Sequence, residues 1–327
     1  MNILRAGFSL LLATSLALPL RFGHAEAAVV TLVVPFARGG PADTLARDFV
    51  AAAASHAPDK IFQVENVPGQ GGSFGALTVA KAPPGATVLL LQNIAHSVAP
   101  SVHAPLPYDT LEDFAYVGMI EAIPMAVLGR PGLPAHVEHL RSAPGLSLAH
   151  AGDGSASHLC GLLLQRALGR RFTQRSYDGN APAMVDLLAG RVDLLCDATN
   201  SARSQLGQSL SVYGITSPSR LTAHPLNALP TLAELGLSGT DMSVWFGLVA
   251  PRGIDKTELE RLNEMLRTVV ADRNFVAKQE ANGATLASGA RLTPDGYKAY
   301  VASQIAHWRN HLSTTSPQAA PEGRTPR

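Results

Sequence analysis

The chain has 327 residues, with 26 Lys+Arg against 25 Asp+Glu and a formal net charge of +1. No Lys/Arg-rich run is present, so the sequence lacks the electrostatic footprint of a nucleic-acid binder or of a protein that lies on an acidic membrane surface. The length suits about two domains, 46% apolar residues are enough for a sizeable core, and the 29 Gly and 23 Pro fall at recurring turns rather than in a low-complexity tract.

Residues 1–27 open with a basic segment ending at Arg5, run uncharged over 6–20 and finish in the small-residue site Ala25-Glu26-Ala27. These are the proportions of a cleaved secretory signal peptide. Arg21 stops the run short of the roughly 20 apolar residues a membrane-spanning helix needs, and the segment has no Cys for a lipid anchor. Removing Arg5, Arg21 and Glu26 leaves 24 basic and 24 acidic side chains, a mature net charge of zero.

From there β-rich runs alternate with helical patterns: strand 29–36, helix 41–56, strand 61–67, helix 73–81, strand 87–91. The rhythm restarts after Pro124, with strands at 125–128 and 146–149, helix 155–168, strand 172–177, helix 181–189 and strands 192–196 and 210–216. Such alternation predicts βαβ units on a mostly parallel sheet, arranged as two α/β lobes. A strand over 243–250 precedes two or three helices, one announced by the capping pattern from Asp255 to Glu258 and one by Thr293-Pro294. The stretch 313–327 is Ser/Thr/Pro/Gln-rich without periodicity, the pattern of a disordered tail. Cys160 falls on a predicted helix and Cys196 on a predicted strand; the sequence leaves a bridge and two buried thiols both open.

Gly-rich turns follow three of the strands. In the first, Phe36-Ala37-Arg38-Gly39-Gly40-Pro41-Ala42-Asp43 runs straight into a helix, and in the second Gly152-Asp153-Gly154-Ser155-Ala156-Ser157-His158 does the same in the other lobe. Glycines expose backbone N–H groups, and the helix N-terminus behind them is partially positive, so each turn is a candidate anion cradle needing no basic side chain. Open α/β sheets hold ligands at the carboxyl ends of their strands, where both turns lie.

Other chemistries fail on spacing. In Gly69-Gln70-Gly71-Gly72-Ser73-Phe74 a dinucleotide fingerprint would need glycine where Phe74 stands, and no phosphate-binding Gly-Lys-Ser/Thr exists. His136-Val137-Glu138-His139 has no third metal ligand at a sensible spacing and reads as a solvated helix face. Ser155, Ser157 and His158 invite a serine-hydrolase reading, but G-x-S-x-G is absent around both serines. No catalytic residue, metal site or cofactor is therefore assigned.

Six motifs occur in order: Val33-Val34-Pro35-Phe36-Ala37 with Gly39-Gly40-Pro41 and Asp43; Val64-Glu65-Asn66 with Pro68-Gly69 and Gly71-Gly72; Lys81-Ala82-Pro83-Pro84; Leu106-Pro107-Tyr108-Asp109; Gly152, Gly154, Ser155 and Ser157-His158-Leu159; and Leu229-Pro230-Thr231-Leu232-Ala233-Glu234. The set, over about residues 30–310, closely resembles the periplasmic substrate-binding receptors of tripartite tricarboxylate transporters, the Bordetella-uptake or TctC type. The resemblance implies an α/β, periplasmic binding protein type II-like fold of two lobes with a ligand cleft between them. The first lobe would be discontinuous, 28–122 plus 243–312, and the second 123–242.

The resemblance further implies a non-enzymatic monomer in the periplasm that closes over a small organic carboxylate and hands it to membrane permease subunits. Carried onto this chain, the carboxylate site comprises Phe36, Ala37, Gly40 and Asp43 on one side and Gly152, Ser155, Ser157 and His158 on the other. Asp43 is expected to cap its helix and fix the loop, since a carboxylate repels an anion. Asn93, Tyr177 and Asp197 are the candidates for reading the distal part of the ligand. Three departures bear on the ligand: Arg38 stands at a usually uncharged position, Asp178 where Lys is frequent, and Pro84-Gly85-Ala86 in place of Pro-Asp-Gly-Tyr. Arg38 adds a candidate cation, and the extra acid Asp178 favours a ligand with a weakly charged distal end over citrate. A same-fold sensor serving a membrane kinase and a secreted serine hydrolase are the alternative functions.

Overall fold

Continuous β-branched runs make strands buried on both faces, and amphipathic runs between them make the covering helices. The structure, a computed structural model, describes residues 28–58, 60–83 and 85–313. The expected signal peptide, Pro84 and the tail from 314 onward lie outside the described residues.

The first part of the chain forms β1 (Ala28–Val34), α1 (Pro41–His56), β2 (Lys60–Asn66), α2 (Ser73–Ala80), β3 (Val88–Asn93) and α3 (Ile94–Val102), with a single 3-10 turn at Gln70–Gly72 before α2. β4 (Phe114–Gly129) leads into α4 (Val137–Ser142), β5 (Ser147–His150), α5 (Ala156–Leu168), β6 (Thr173–Ser176), α6 (Asn180–Leu188), β7 (Leu194–Ala198), α7 (Thr199–Gln205) and β8 (Ser211–Ile215). The chain returns through β9 (Ser243–Pro251) to α8 (Lys256–Ala271), α9 (Arg273–Ala281), β10 (Thr285–Leu286) and α10 (Pro294–Ser313). Ser313, expected to open the tail, ends α10.

The strands run in the order β2-β1-β3-β9-β4-β7-β5-β6, with β8 and β10 also pairing β4. β1 pairs β2 and β3 in parallel, and β5 pairs β6 and β7 in parallel. Every pairing that involves β4 or β9 is antiparallel. The sheet is thus mixed rather than mostly parallel, because β9 runs against the strands of the first βαβ set and β4 against those of the second. One lobe is built on β1, β2, β3, β9 and the first part of β4; the other is built on β5 to β8 and the end of β4.

Local signals place the helices. Pro41 occupies the first turn of α1, whose buried Leu45, Ala46, Phe49 and Ala53 face the sheet at helical spacing. Asp255 caps α8, its carboxylate accepting the N–H groups of Thr257 (2.8 Å) and Glu258 (3.2 Å), and Thr293 Oγ1 accepts Gly296 N–H at 3.2 Å in the first turn of α10. Trp245 on β9 and Tyr297 on α10 are among the largest fully buried side chains and tie the returning segment to the core.

Cys160 on α5 and Cys196 on β7 are paired as a disulfide inside the second lobe. The bridge closes 36 residues of chain, and chain-entropy arguments give about 4 kcal/mol for a loop of that size. Replacing both cysteines by Ala is expected to lower unfolding stability by about 2–4 kcal/mol and to steepen the denaturant slope as the unfolded chain expands, as measured by guanidinium titration.

Glu121 on β4 is 1% exposed with neither carboxylate oxygen hydrogen-bonded. Burial, with a contribution from Asp48, pushes its carboxyl up to about 8. The folded state therefore holds a proton that the unfolded chain releases near its ordinary value of 4.5, so stability falls as pH rises between those values. Glu121→Gln is expected to flatten that fall, by several kcal/mol between pH 5 and 9 in urea titrations.

Candidate ligand-binding site

Between the lobes lies a cleft, partly open to solvent. Five helices begin on it. α1 contributes Gly40, Pro41 and Ala42; α3 its cap Asn93; α5 its cap Ser155 with Ala156 and Ser157; α6 Asn180; and α7 its cap Ala198. Helix N-termini carry partial positive charge and N–H groups without intrahelical partners. α1, α6 and α7 have no side-chain cap on those groups. Among the described residues no charged side chain lines the cleft; its remaining walls are Phe36, Met125, Ala151, Val244 and Phe246.

Five residues singled out in the sequence line this cleft: Phe36, Gly40, Asn93, Ser155 and Ser157. Asn93 Oδ1 accepts Ala95 N–H at 2.9 Å, which caps α3 and leaves the Nδ2 group as its donor end. Ser155 Oγ accepts His158 N–H at 3.2 Å, Ser157 Oγ accepts Ala151 N–H at 2.9 Å, and the two hydroxyls are 3.1 Å apart. One hydroxyl proton is used between the serines, so the other remains to be donated into the cleft that both residues line.

The other seven candidates lie outside the lining. Ala37 spends its N–H on the carbonyl of Asp178, 3.0 Å away in the opposite lobe. Arg38 is exposed and away from the cleft, so it supplies no cation there. Gly152 packs against Gly71 rather than facing the cavity. His158 turns its Nδ1 to Gly154 N–H (3.0 Å) and stacks on His150, ring centroids 4.7 Å apart. Burial, helped by His150, pushes its imidazole down to about 4, so it is a neutral brace for the turn and forms no side-chain pair with either serine. The Tyr177 hydroxyl donates to Asp186 at 2.7 Å. Asp197 is fully buried, and burial raises its carboxyl to about 6. It accepts the Nδ2 of Asn180, which also donates to Cys196 O at 3.3 Å. Asp197 thus acts through Asn180, whose Oδ1 is the polar end left over.

Asp43 differs from its expected part. Gly40 is the N-cap of α1 and no side chain caps the helix. Asp43, in the first turn, instead reaches back to accept Gly39 N–H at 2.9 Å while holding Arg47 (2.9 Å) and Asn66 Nδ2 (3.0 Å). It fixes the glycine turn and leaves the N–H groups at the helix start uncapped.

Asn180, Ala198, Met125, Val244 and Phe246 escaped the sequence reading. For Asn180 a signal existed: Tyr177-Asp178-Gly179 is a further strand–glycine–helix connection. The other four sit where strands or strand ends meet the cleft, and alternation within a run buried on both faces cannot say which face that is.

Residues 45–308 match the model of the tripartite tricarboxylate transporter family receptor. The chain belongs to that family. Among solved structures, the periplasmic binding protein BugD is similar with a TM-score of 0.84 and 33% identity, covering 89% of this chain and 98% of that one. MatC from Rhodopseudomonas palustris with bound malate gives 0.80 and 30%, over 86% and 98%. An R. palustris protein with adipate gives 0.82 and 29%, over 89% and 98%. These matches make the fold that of two-lobed periplasmic binding proteins. No helix among the described residues is long and apolar enough to cross a membrane.

Burial raises the Asp43 carboxyl, but its hydrogen bonds from Arg47, Gly39 and Asn66 outweigh this and hold it below the ordinary carboxylate range. Its contribution is present above the unfolded value and is lost as pH falls through the lowered folded one. Asp43→Asn is expected to destabilise the protein at pH 7 and to shrink that difference progressively below about pH 4, as followed by thermal unfolding across pH.

Proposed function

We propose that this protein is a periplasmic receptor, not an enzyme, that closes over a small organic carboxylate and delivers it to the permease subunits of a tripartite tricarboxylate transporter. The observation that carries the reading is the meeting of five helix N-termini on one cleft without a charged side chain. Each such end contributes up to about 1–2 kcal/mol to a partly buried anion, so together they offset much of the cost of desolvating a carboxylate. Oriented N–H groups, the spare Ser155/Ser157 proton and Asn93 Nδ2 grip the anion, and the malate- and adipate-bound relatives support that ligand class.

The remainder of the ligand faces Met125, Val244 and Phe246, with Asn180 Oδ1 as an acceptor. This lining suits one carboxylate on a largely apolar body with a single donor group, such as a hydroxy or amino acid. Lobe limits of 28–122 plus 243–312 and of 123–242 put the crossings in β4 and just before β9. Residues 1–27 serve as the export signal, and the mature receptor is a monomer.

Native mass spectrometry of the purified protein, followed by calorimetry against a panel of mono- and dicarboxylates, tests the ligand class. Gly40→Asp and Ser155→Asp each place an anion in the grip and are expected to weaken binding at least 100-fold while circular dichroism and Tm stay near the parent's. Affinity close to the parent's for both variants would overturn the site.

A further inference from the structure

Besides side-chain bonds such as that from Thr199 Oγ1 to Asn282 O at 2.7 Å, the lobes meet at two seams beside the cleft where backbone approaches backbone. At the first, Ala37 N–H donates to Asp178 O at 3.0 Å. Gly179 lies so close beneath that a Cβ on it would stand 2.9 Å from Ala37 N and 3.1 Å from Ala37 Cβ. Its φ of 162° is extended backbone open to any residue, so it is space that requires glycine here. At the second seam a Cβ on Gly71 would meet the Asp153 carbonyl oxygen at 2.1 Å, and one on Gly152 would meet Gly71 N at 2.9 Å. His103, just past α3, brings its Nε2 to that same Asp153 carbonyl at 2.9 Å. None of Gly71, His103, Gly152 and Gly179 lines the ligand cleft.

We propose that Gly179, with Gly71, Gly152 and His103, forms a latch that sets how tightly the lobes shut, and that ligand retention depends on it. The inference rests on the receptor reading above and names the positioning residues that regulate that site. Ordinary contact needs about 3.4–4 Å, so one methyl at Gly179 pushes the seam apart by several tenths of an ångström. The interlobe hydrogen bond from Ala37, already at 3.0 Å, then stretches toward the limit at which it ceases to count as one. A parted seam admits water to the helix ends, where screening weakens their hold on a buried anion. The loss appears as faster dissociation.

Gly71 and Gly152 have φ of +60° and +95°, so Ala there adds local strain as well as bulk. Gly179→Ala is therefore the decisive variant. Gly145→Ala, at φ +68° with nothing within 4 Å, is the control for glycine loss without a seam. The primary readout is hydrogen exchange of the Ala37 amide, which is bonded only while the seam is closed and needs no knowledge of the ligand. In protein as purified, Gly179→Ala is expected to lower its protection at least tenfold, and His103→Ala, acting from the second seam, about threefold; Gly145→Ala leaves it at the parent's level, and Tm of Gly179→Ala stays within about 2 °C. Parent-level protection in Gly179→Ala overturns the latch. So does equal affinity of parent and Gly179→Ala for whichever panel carboxylate binds. If protection falls but no carboxylate binds the parent, the latch stands and the receptor reading fails.

Discussion

β4 and β9 pair antiparallel from Phe114↔Pro251 to Pro124↔Ser243, and β4 then runs on to pair with β7 and β8. This backbone ladder joins two sets of parallel βαβ units, each of which could bury its own helices but neither of which alone makes a cleft. Because β9 runs against the first lobe's parallel strands and β4 against the second's, the two parallel sets point in opposite directions and the helix starts of the two lobes face one another across the join. The walls of the cleft include residues of the crossing pair and its approach: Met125 on β4, Val244 and Phe246 on β9. The facing helix starts and the apolar floor therefore share one hydrogen-bonded element.

The electrostatics follow from that geometry. A chain with nearly equal numbers of basic and acidic side chains places none of those among the described residues in the cleft lining. Positive potential comes from helix ends whose N–H groups are fixed by the fold and reorganise little on binding. The nearby acids are each diverted. Asp43 is bound to Arg47 and to the turn it fixes, and Asp197 is turned onto Asn180. Their hydrogen bonds hold the loops in place without presenting a carboxylate to the ligand.

Sequence patterns reached much of this because the relevant signals are local. Pro41 in a first turn, the Asp255 cap and the Gly-rich exits from β1 and β5 each act within a few residues, and the helix starts they announce are where the structure has them. α3 went unread because it is a short helix, buried along most of its length and containing Pro100. Only 125–128 was legible as strand in β4, whose 16 residues include Glu121 and Pro124. Those two residues argue against a central strand unless the neighbours that bury them are known.

What the chain determined alone is the set of turns, caps and βα units, and through its ordered motifs the family, since these depend on neighbours in sequence. What tertiary structure decided is which groups each turn faces. Phe36, Gly40, Asn93, Ser155 and Ser157 line the cleft, whereas Ala37 bonds across it, His158 braces its own turn, Tyr177 serves Asp186 and Cys160 finds Cys196. The Ala37 bond comes from how the two lobes dock on the crossing strands and the disulfide from how α5 packs on β7, while His158 and Tyr177 find partners close in sequence but in an orientation that only the packed unit fixes.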